Sequence, residues 1–214
     1  MPENDPEPLL LTEHEILALL TLNDTEPARR SRTVLHLPEV DDESDYMRAG
    51  ITTLLVRGHA TVEEDNVSAQ GVARSVASVL TTAGEWLEIG IVTNEHSHVY
   101  FAAASAVGNV LASMNRLGVH ELLPLDPRTE LLDVGMGIAR NALTDEGTEK
   151  PVAVNITRHG AEQDSVTASM LADSDGRWHL AAEPRNEQGE LAKSEVPADE
   201  AVGKLNDALT FASS

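Results

Sequence analysis

The spacing of apolar residues changes near residue 85. Before that point they recur every three or four positions, which is typical of amphipathic helices. After it they alternate with polar residues, as at Leu87, Ile89 and Ile91, which is typical of half-buried strands. The pattern therefore predicts an N-terminal helical portion followed by a sheet-forming portion.

Within the helical portion, capping residues mark where helices begin and end. Thr12 and Glu15 have the spacing of a capping box, and Gly58 is a C-terminal stop for a helix over residues 45–56. Ser68 is the expected cap of a third helix. Short strands are expected between these helices, over 33–37 and 59–62.

The sheet-forming portion contains the same order of predicted elements twice. Each copy has short strands, then a Pro before an amphipathic helix. Asp126 and Pro127 are the expected N-cap and N1 of the first of these helices, and Pro197 precedes the second. We predict an α+β fold of pseudo-two-fold duplicated antiparallel sheet-plus-helix units, in one compact domain. Its expected parts are a disordered arm (1–10), a helical, winged-helix-like portion (11–85), a first β-meander with helix (86–143) and a second (151–211).

Composition narrows the function. The formal charge is −21 over 214 residues, which disfavours binding to phosphate backbones and anionic membranes. Aromatic residues are 3%, so platforms for stacking bases are scarce. There is no cysteine, which excludes thiol nucleophiles and Cys-ligated metals. No apolar run approaches the ~20 residues of a membrane span. We expect a cytoplasmic protein that binds neither nucleic acid nor membrane.

One segment resembles a cofactor motif. Asp133, Gly135 and Gly137, with Ala139 in place of a third Gly, resemble the glycine-rich turn of S-adenosylmethionine-dependent methyltransferases. That turn must follow a strand, whereas a helix is expected here, and Asn155 stands where an acidic ribose ligand would be. Close helix packing is the favoured explanation of the glycines. A small methyltransferase-like protein remains the alternative.

Other candidate sites are weaker. Residues 50–62 resemble the end of a winged helix, but the segment lacks a basic recognition face. His96 and His98 share one face of a strand without an evident third ligand. The acidic run at 41–45 lacks the alternating ligands of a calcium loop. We therefore expect no catalytic, cofactor-binding or metal-binding residues and no cofactor.

The order of elements resembles the EspG family, the cytoplasmic chaperones of actinobacterial type VII secretion. The resemblance rests on the early helix at residues 11–16, residues 49–58 ending in Arg-Gly, the helix at 72–80, the first meander, and Val-Pro-Ala-Asp at 196–199. It implies a quasi-two-fold fold and a non-enzymatic chaperone that binds a helical export substrate. No residue of that family's binding surface can be matched to a position here, and the oligomeric state is left open.

Overall fold

The computed structural model describes residues 7–41, 44–64, 66–115, 117–145 and 147–211. The described residues form six helices, α1 to α6, in the order Glu13–Thr21, Glu26–Val34, Asp45–Val56, Gly71–Thr82, Leu131–Thr144 and Ala201–Ala208. They also form eleven strands, β1 to β11, in the order Leu9–Thr12, Ala60–Glu63, Asn66–Ala69, Glu85–Val92, Ser97–Ser105, Gly108–Met114, Val119–Leu125, Val152–Gly160, Val166–Ala172, Trp178–Arg185 and Leu191–Val196. The predicted α+β class is confirmed.

The chain divides into two compact units. Unit 1 comprises Met1–Trp86 and Phe101–Thr129, and unit 2 comprises Leu87–Tyr100 and Glu130–Ser214. Unit 1 contains α1 to α4, the β2–β3 hairpin, and strands in the order β1-β7-β6-β5, with β5 represented by residues 101–105. Unit 2 contains α5, α6 and strands in the order β4-β8-β9-β10-β11, with β4 represented by residues 87–92, and it also holds residues 97–100 of β5.

The element order confirms the predicted duplication. Strands β4 to β7 followed by α5 form the first repeat, and strands β8 to β11 followed by α6 form the second. Each helix is preceded by a turn: Thr129 N–H donates to Asp126 O at 3.0 Å, and Glu200 N–H donates to Pro197 O at 3.1 Å. The boundaries of the predicted domains stay predictions. Residues 1–6 of the predicted arm lie outside the described residues, whereas residues 9 and 10 belong to β1.

The predicted start of the first repeat's helix is wrong. The helix begins at Leu131 with Glu130 as N-cap, and not at Asp126 and Pro127. The Asp126 carboxylate is engaged by the backbone N–H and the guanidinium of Arg128, at 2.9 and 2.7 Å. That pairing closes a turn in place of the first turn of a helix.

The predicted strand over residues 33–37 is also wrong, because residues 33 and 34 end α2 and residues 35 and 36 form the turn after it. The helix starts behind Thr25, whose hydroxyl accepts from Ala28 N–H at 3.1 Å, with Pro27 in the first turn. His36 follows the helix with φ 52°, a left-handed turn that ends it. The apolar alternation in this stretch therefore comes from a helix end, where Val34, Leu35 and Leu37 are buried.

The predicted helix over residues 45–56 is confirmed to both ends. Ser44 accepts from Met47 N–H at 3.3 Å, and Gly58 has φ +73° after the last turn. The next helix begins later than predicted. Ser68 pairs with Thr61 in the β2–β3 hairpin, so α4 starts at Gly71.

A buried carboxylate ties α1, β1 and α3 together within unit 1. Glu15 is 1% exposed, and both of its oxygens accept from the Arg57 guanidinium, at 2.9 and 2.7 Å. Thr12 N–H also donates to it, at 2.9 Å, as the predicted capping box requires. Burial opposes ionisation, but the hydrogen bonds from Thr12 and Arg57 outweigh it and lower the pKa of Glu15.

Two other buried polar groups shape unit 1. Ser31 Oγ donates to Leu80 O at 2.6 Å and accepts from Trp86 Nε1 at 2.9 Å. His120 on β7 is fully buried, and neither ring nitrogen has a hydrogen-bond partner. Burial lowers the pKa of His120, and the negative charge of Glu13 opposes this in part. The ring is therefore neutral near pH 7.

Candidate protein-binding groove

Unit 1 contains a groove of about 300 Å³ between three segments. One wall is α4, the second is the β5–β6 turn, and the third is the end of β7 with the residues after it. The lining is mostly apolar. Its residues are Arg74, Ser75, Val76, Ser78, Val79, Val107, Gly108, Asn109, Val110, Pro124, Leu125 and Pro127.

Buried side chains of the unit 1 core form the walls of the groove, whereas the side chain of Val107 projects into solvent. Val76 and Val110 are each 1% exposed and Val79 is 5% exposed, because they also belong to the core of unit 1. Val107, at the tip of the β5–β6 turn, is 64% exposed. A single exposed valine is ordinary on a protein surface, but here it adjoins the apolar cleft and extends the apolar surface that a bound segment could cover.

Local hydrogen bonds of the Ser105 side chain hold the β5–β6 turn in place. Ser105 Oγ accepts from Val107 N–H at 3.2 Å and donates to Gly108 O at 3.1 Å. Gly108 has φ +156°, and a Cβ added there would lie 3.4 Å from Val79 Cγ2. The positive φ explains the glycine, since L side chains rarely adopt it, whereas the contact of a Cβ with Val79 would be an ordinary one.

The third wall is held by a buried amide. Asn109 is 4% exposed, and its Nδ2 donates to Asp126 O at 3.3 Å and to Thr129 O at 2.8 Å. The side-chain and backbone hydrogen bonds from Arg128 lower the pKa of Asp126 to about 2. Asp126 therefore stays ionised at physiological pH and its charge is balanced by Arg128 in the same turn.

The lining of the groove suits apolar contacts and provides few groups that could take part in a reaction. Arg74 is the one charged side chain among the lining residues, and its Nε donates to Ala69 O at 3.0 Å. The remaining polar side chains that line it are those of Ser75, Ser78 and Asn109. The lining supplies no carboxylate or imidazole that could act as a base. Apolar walls with one cation at the edge suit an apolar segment that carries an acidic residue.

Unit 2 has a wider and more polar groove of about 630 Å³ between α5 and α6. Charged and amide side chains line it, among them Asp133, Arg140, Asp199 and Asn206. It includes one residue of the cofactor-like motif, Asp133.

The cofactor-like motif forms no glycine-rich turn. Asp133, Gly135 and Gly137 all lie inside α5, where the methyltransferase pattern requires a turn after a strand. A Cβ on Gly135 would lie 2.9 Å from Leu87 Cδ1, so close packing explains this glycine, as the sequence predicts. A Cβ on Gly137 would meet nothing within 4 Å, so packing does not explain the second glycine.

The other candidate residues stay apart from any cluster of ligands. The rings of His96 and His98 lie edge to face with centroids 6.3 Å apart. Among the described residues no group of three or more His, Asp or Glu side chains is placed to hold a metal ion. Residues 42 and 43 of the acidic run lie outside the described residues. No helix in the described part of the chain is long and apolar enough to cross a membrane.

Sequence reasoning missed the groove of unit 1. The residues at 72–80 were expected to form a helix, and the β5–β6 turn was given no role. A signal was present, because an apolar residue before a glycine in a tight hairpin turn, as at Val107-Gly108, has no reason to lie in the core. The close approach of α4 to that turn carries no mark in the sequence.

Comparison with known proteins identifies the fold. The chain is similar to the Mycobacterium tuberculosis type VII secretion system chaperone EspG5, solved in complex with a PE25–PPE41 dimer. The TM-score is 0.54 at 10% sequence identity, and the match covers 95% of this chain and 97% of that one. No protein-family model and no curated protein matches this chain. The likeness confirms the EspG-like fold expected from the order of elements.

Proposed function

We propose that this chain is a non-enzymatic chaperone that binds a helical export substrate of type VII secretion in the cytoplasm. The observation that carries the proposal is the agreement of fold with EspG5 along 95% of the chain. That neighbour is a chaperone solved with a dimer of two other proteins. An insertion or a missing region would have suggested a different use of the fold, but nearly the whole length of each chain is matched.

The groove of unit 1 is the proposed binding surface. An apolar helical tip that enters it would cover Val107, which is 64% exposed. Fully burying a valine side chain stabilises by about 1.5–3 kcal/mol, so covering the exposed part of Val107 contributes about 1–2 kcal/mol. Arg74 at the edge would pair with an acidic group on the substrate. This pair would contribute more to orientation and association rate than to affinity.

The substrate is proposed to be a paired helical protein of the PE–PPE type. The proposed mechanism is capture of an apolar helical tip of that pair, which shields the tip from aggregation. Holding the tip in the groove keeps the pair soluble and needs no cofactor or chemical step. The acidic surface, with a formal charge of −21, keeps the chaperone itself from associating with nucleic acid.

The test is co-expression with the PE–PPE-type pairs encoded in the same genome, followed by calorimetry on any complex that co-purifies. Val107→Asp is expected to weaken binding at least tenfold, since the complex loses apolar burial and places a charge against the bound apolar segment. Leu117→Asp is the matched control: Leu117 is an 88% exposed apolar residue between β6 and β7, outside the groove.

Two outcomes would contradict the proposal at different levels. If no such pair co-purifies with the wild-type chain or gains solubility from it, the chaperone function is wrong. If a complex forms and Val107→Asp binds as tightly as Leu117→Asp, the function stands and the groove is not the surface.

A further inference from the structure

The two repeats differ at their outermost strands. In the first repeat, the last strand β7 pairs on its far side with β1, antiparallel, with Leu11 opposite His120. In the second repeat, the last strand β11 pairs with β10, and no further strand of the described residues lies beyond it. The position that a four-residue antiparallel strand fills in the first repeat is therefore open in the second.

The direction of the free backbone groups on β11 follows from its hairpin. Asn186 N–H donates to Glu190 O at 2.8 Å, so the backbone of Glu190 faces β10. The irregularity in the β10–β11 pairing lies on the β10 side, between Ala182 and Arg185, so the alternation along β11 is unbroken. Every second residue then faces β10, which leaves the N–H and C=O groups of Lys193 and Glu195 pointing away from it.

The side chains of the same two residues carry opposite charges. Lys193, Ser194 and Glu195 are all exposed, and successive side chains alternate between the faces of a strand. The side chains of Lys193 and Glu195 therefore lie on one face of β11, and that of Ser194 lies on the other. Pro197 directly follows the strand and lacks an N–H, so it limits how far any further strand can pair.

We propose that β11 pairs antiparallel with β11 of a second copy of this chain, about a two-fold axis at Ser194. In this register Lys193 lies opposite Glu195 of the second copy, and Glu195 lies opposite Lys193 of the second copy. Both pairs have outward backbone groups, so each exchanges two N–H to C=O hydrogen bonds. The interface is isologous and closes at two copies.

The charges of Lys193 and Glu195 favour this register and favour a second copy of β11 as the partner strand. Moving the two-fold axis to residue 195 or 193 would place Glu opposite Glu or Lys opposite Lys, which is destabilising. A slip of one residue would reverse the faces of the strand. The other outer strand is less open, because Arg57 donates to Leu10 O in β1 at 2.7 Å. The inference is independent of the proposed chaperone function.

The test is sedimentation equilibrium of the full chain over a wide range of protein concentration. A single strand pair buries little surface, so a weak, reversible dimer is expected. Lys193→Glu and Glu195→Lys each turn two attractive pairs into repulsive ones, and each is expected to weaken the dimer about tenfold. Glu187→Lys, in the hairpin loop, makes the same charge change as Glu195→Lys and should leave the dimer unchanged.

The decisive measurement mixes the two single variants. A chain with Glu at 193 and 195 is complementary to one with Lys at both positions, so the mixture should dimerise about as tightly as the wild type. A mere loss of stability in either variant could not produce this rescue. The proposal is overturned if the wild type stays monomeric at the highest concentration, if the single variants dimerise like the wild type, or if the mixture does not recover.

Discussion

Replacing Gly50 with alanine should destabilise the protein strongly, because α1 and α3 touch at that residue. A Cβ at Gly50 would overlap His14 O and would lie 2.7 Å from His14 C and 3.0 Å from Ala18 Cβ. Two of these atoms are backbone and cannot rotate away, so α1 would have to shift by about 1 Å or more, since interiors are packed without spare volume.

The magnitude follows from two opposing effects. Alanine is favoured over glycine inside a helix by about 1 kcal/mol. Overpacking of a core costs about 1–3 kcal/mol and sometimes more, and a backbone clash this close belongs at or above the upper end. We expect a net loss of about 2 kcal/mol or more in the free energy of unfolding, although the helix propensity has improved.

The two tryptophans provide the assay. Trp86 belongs to unit 1 and Trp178 to unit 2, so fluorescence in a Trp178→Phe background reports on unit 1. Urea unfolding of Gly50→Ala in that background should show a lower midpoint than the background alone. A midpoint unchanged or raised would refute the close contact of α1 with α3.

Gly137→Ala is the matched control for the glycine argument. It is the same substitution in the interior of another helix, where the new Cβ would meet nothing within 4 Å. The change should raise the free energy of unfolding by up to about 1 kcal/mol, as followed by circular dichroism. Destabilisation would show that Gly137 has a packing or binding role that the free space around it hides.

Three further changes test the buried polar groups. Arg57→Ala should cost about 2 kcal/mol in urea unfolding at pH 7, less than for a fully buried pair because Arg57 is 39% exposed. The lowered pKa of Glu15 implies that its share of stability is present above pH 4.5 and lost as pH falls through the folded value, so wild type and Arg57→Ala should converge in acid. Below about pH 6.5 the imidazole of His120 binds a proton in the unfolded chain but resists it when buried, so the wild type loses stability as the pH falls. His120→Leu should not show this loss. Equal pH profiles of stability for the variant and the wild type would contradict the prediction. Ser31→Ala leaves the Trp86 indole N–H unpaired and should cost about 1–3 kcal/mol with a shift in Trp86 emission; an unchanged spectrum and midpoint would argue against the hydrogen bond.

The sequence was sufficient for those elements whose signals are local. Gly58 ends α3 as predicted, and the apolar alternation along β4 and β8 matches their buried faces. Where the prediction failed, tertiary contacts decided the outcome. Ser68 is a good cap in isolation, but it pairs with Thr61 in the hairpin, so α4 starts later.

The short strand β1 was missed for a different reason. Its four residues, Leu-Leu-Leu-Thr, show no alternation of apolar and polar positions, yet Leu9 and Leu11 are buried and Leu10 is 44% exposed. Leucine at all three positions hides the period of two that would reveal a strand. Pairing with β7, more than one hundred residues later, gives the segment its structure.

The pairing of β1 with β7 also explains why the outer strand edges of the two repeats differ. In the first repeat, β1 supplies the strand that saturates the outer backbone groups of β7, and β7 there carries a buried, neutral His120. The equivalent strand of the second repeat, β11, instead exposes Lys193 and Glu195, and inward or exposed charges are how natural sheets keep open edges from pairing at random. Opposite charges at Lys193 and Glu195 disfavour pairing of β11 with most other strands and in most registers. They favour antiparallel pairing of β11 with β11 of a second copy. The difference between the repeats is therefore one of specificity: the first edge is closed by the chain itself, and the second is left open to a partner that its charges select.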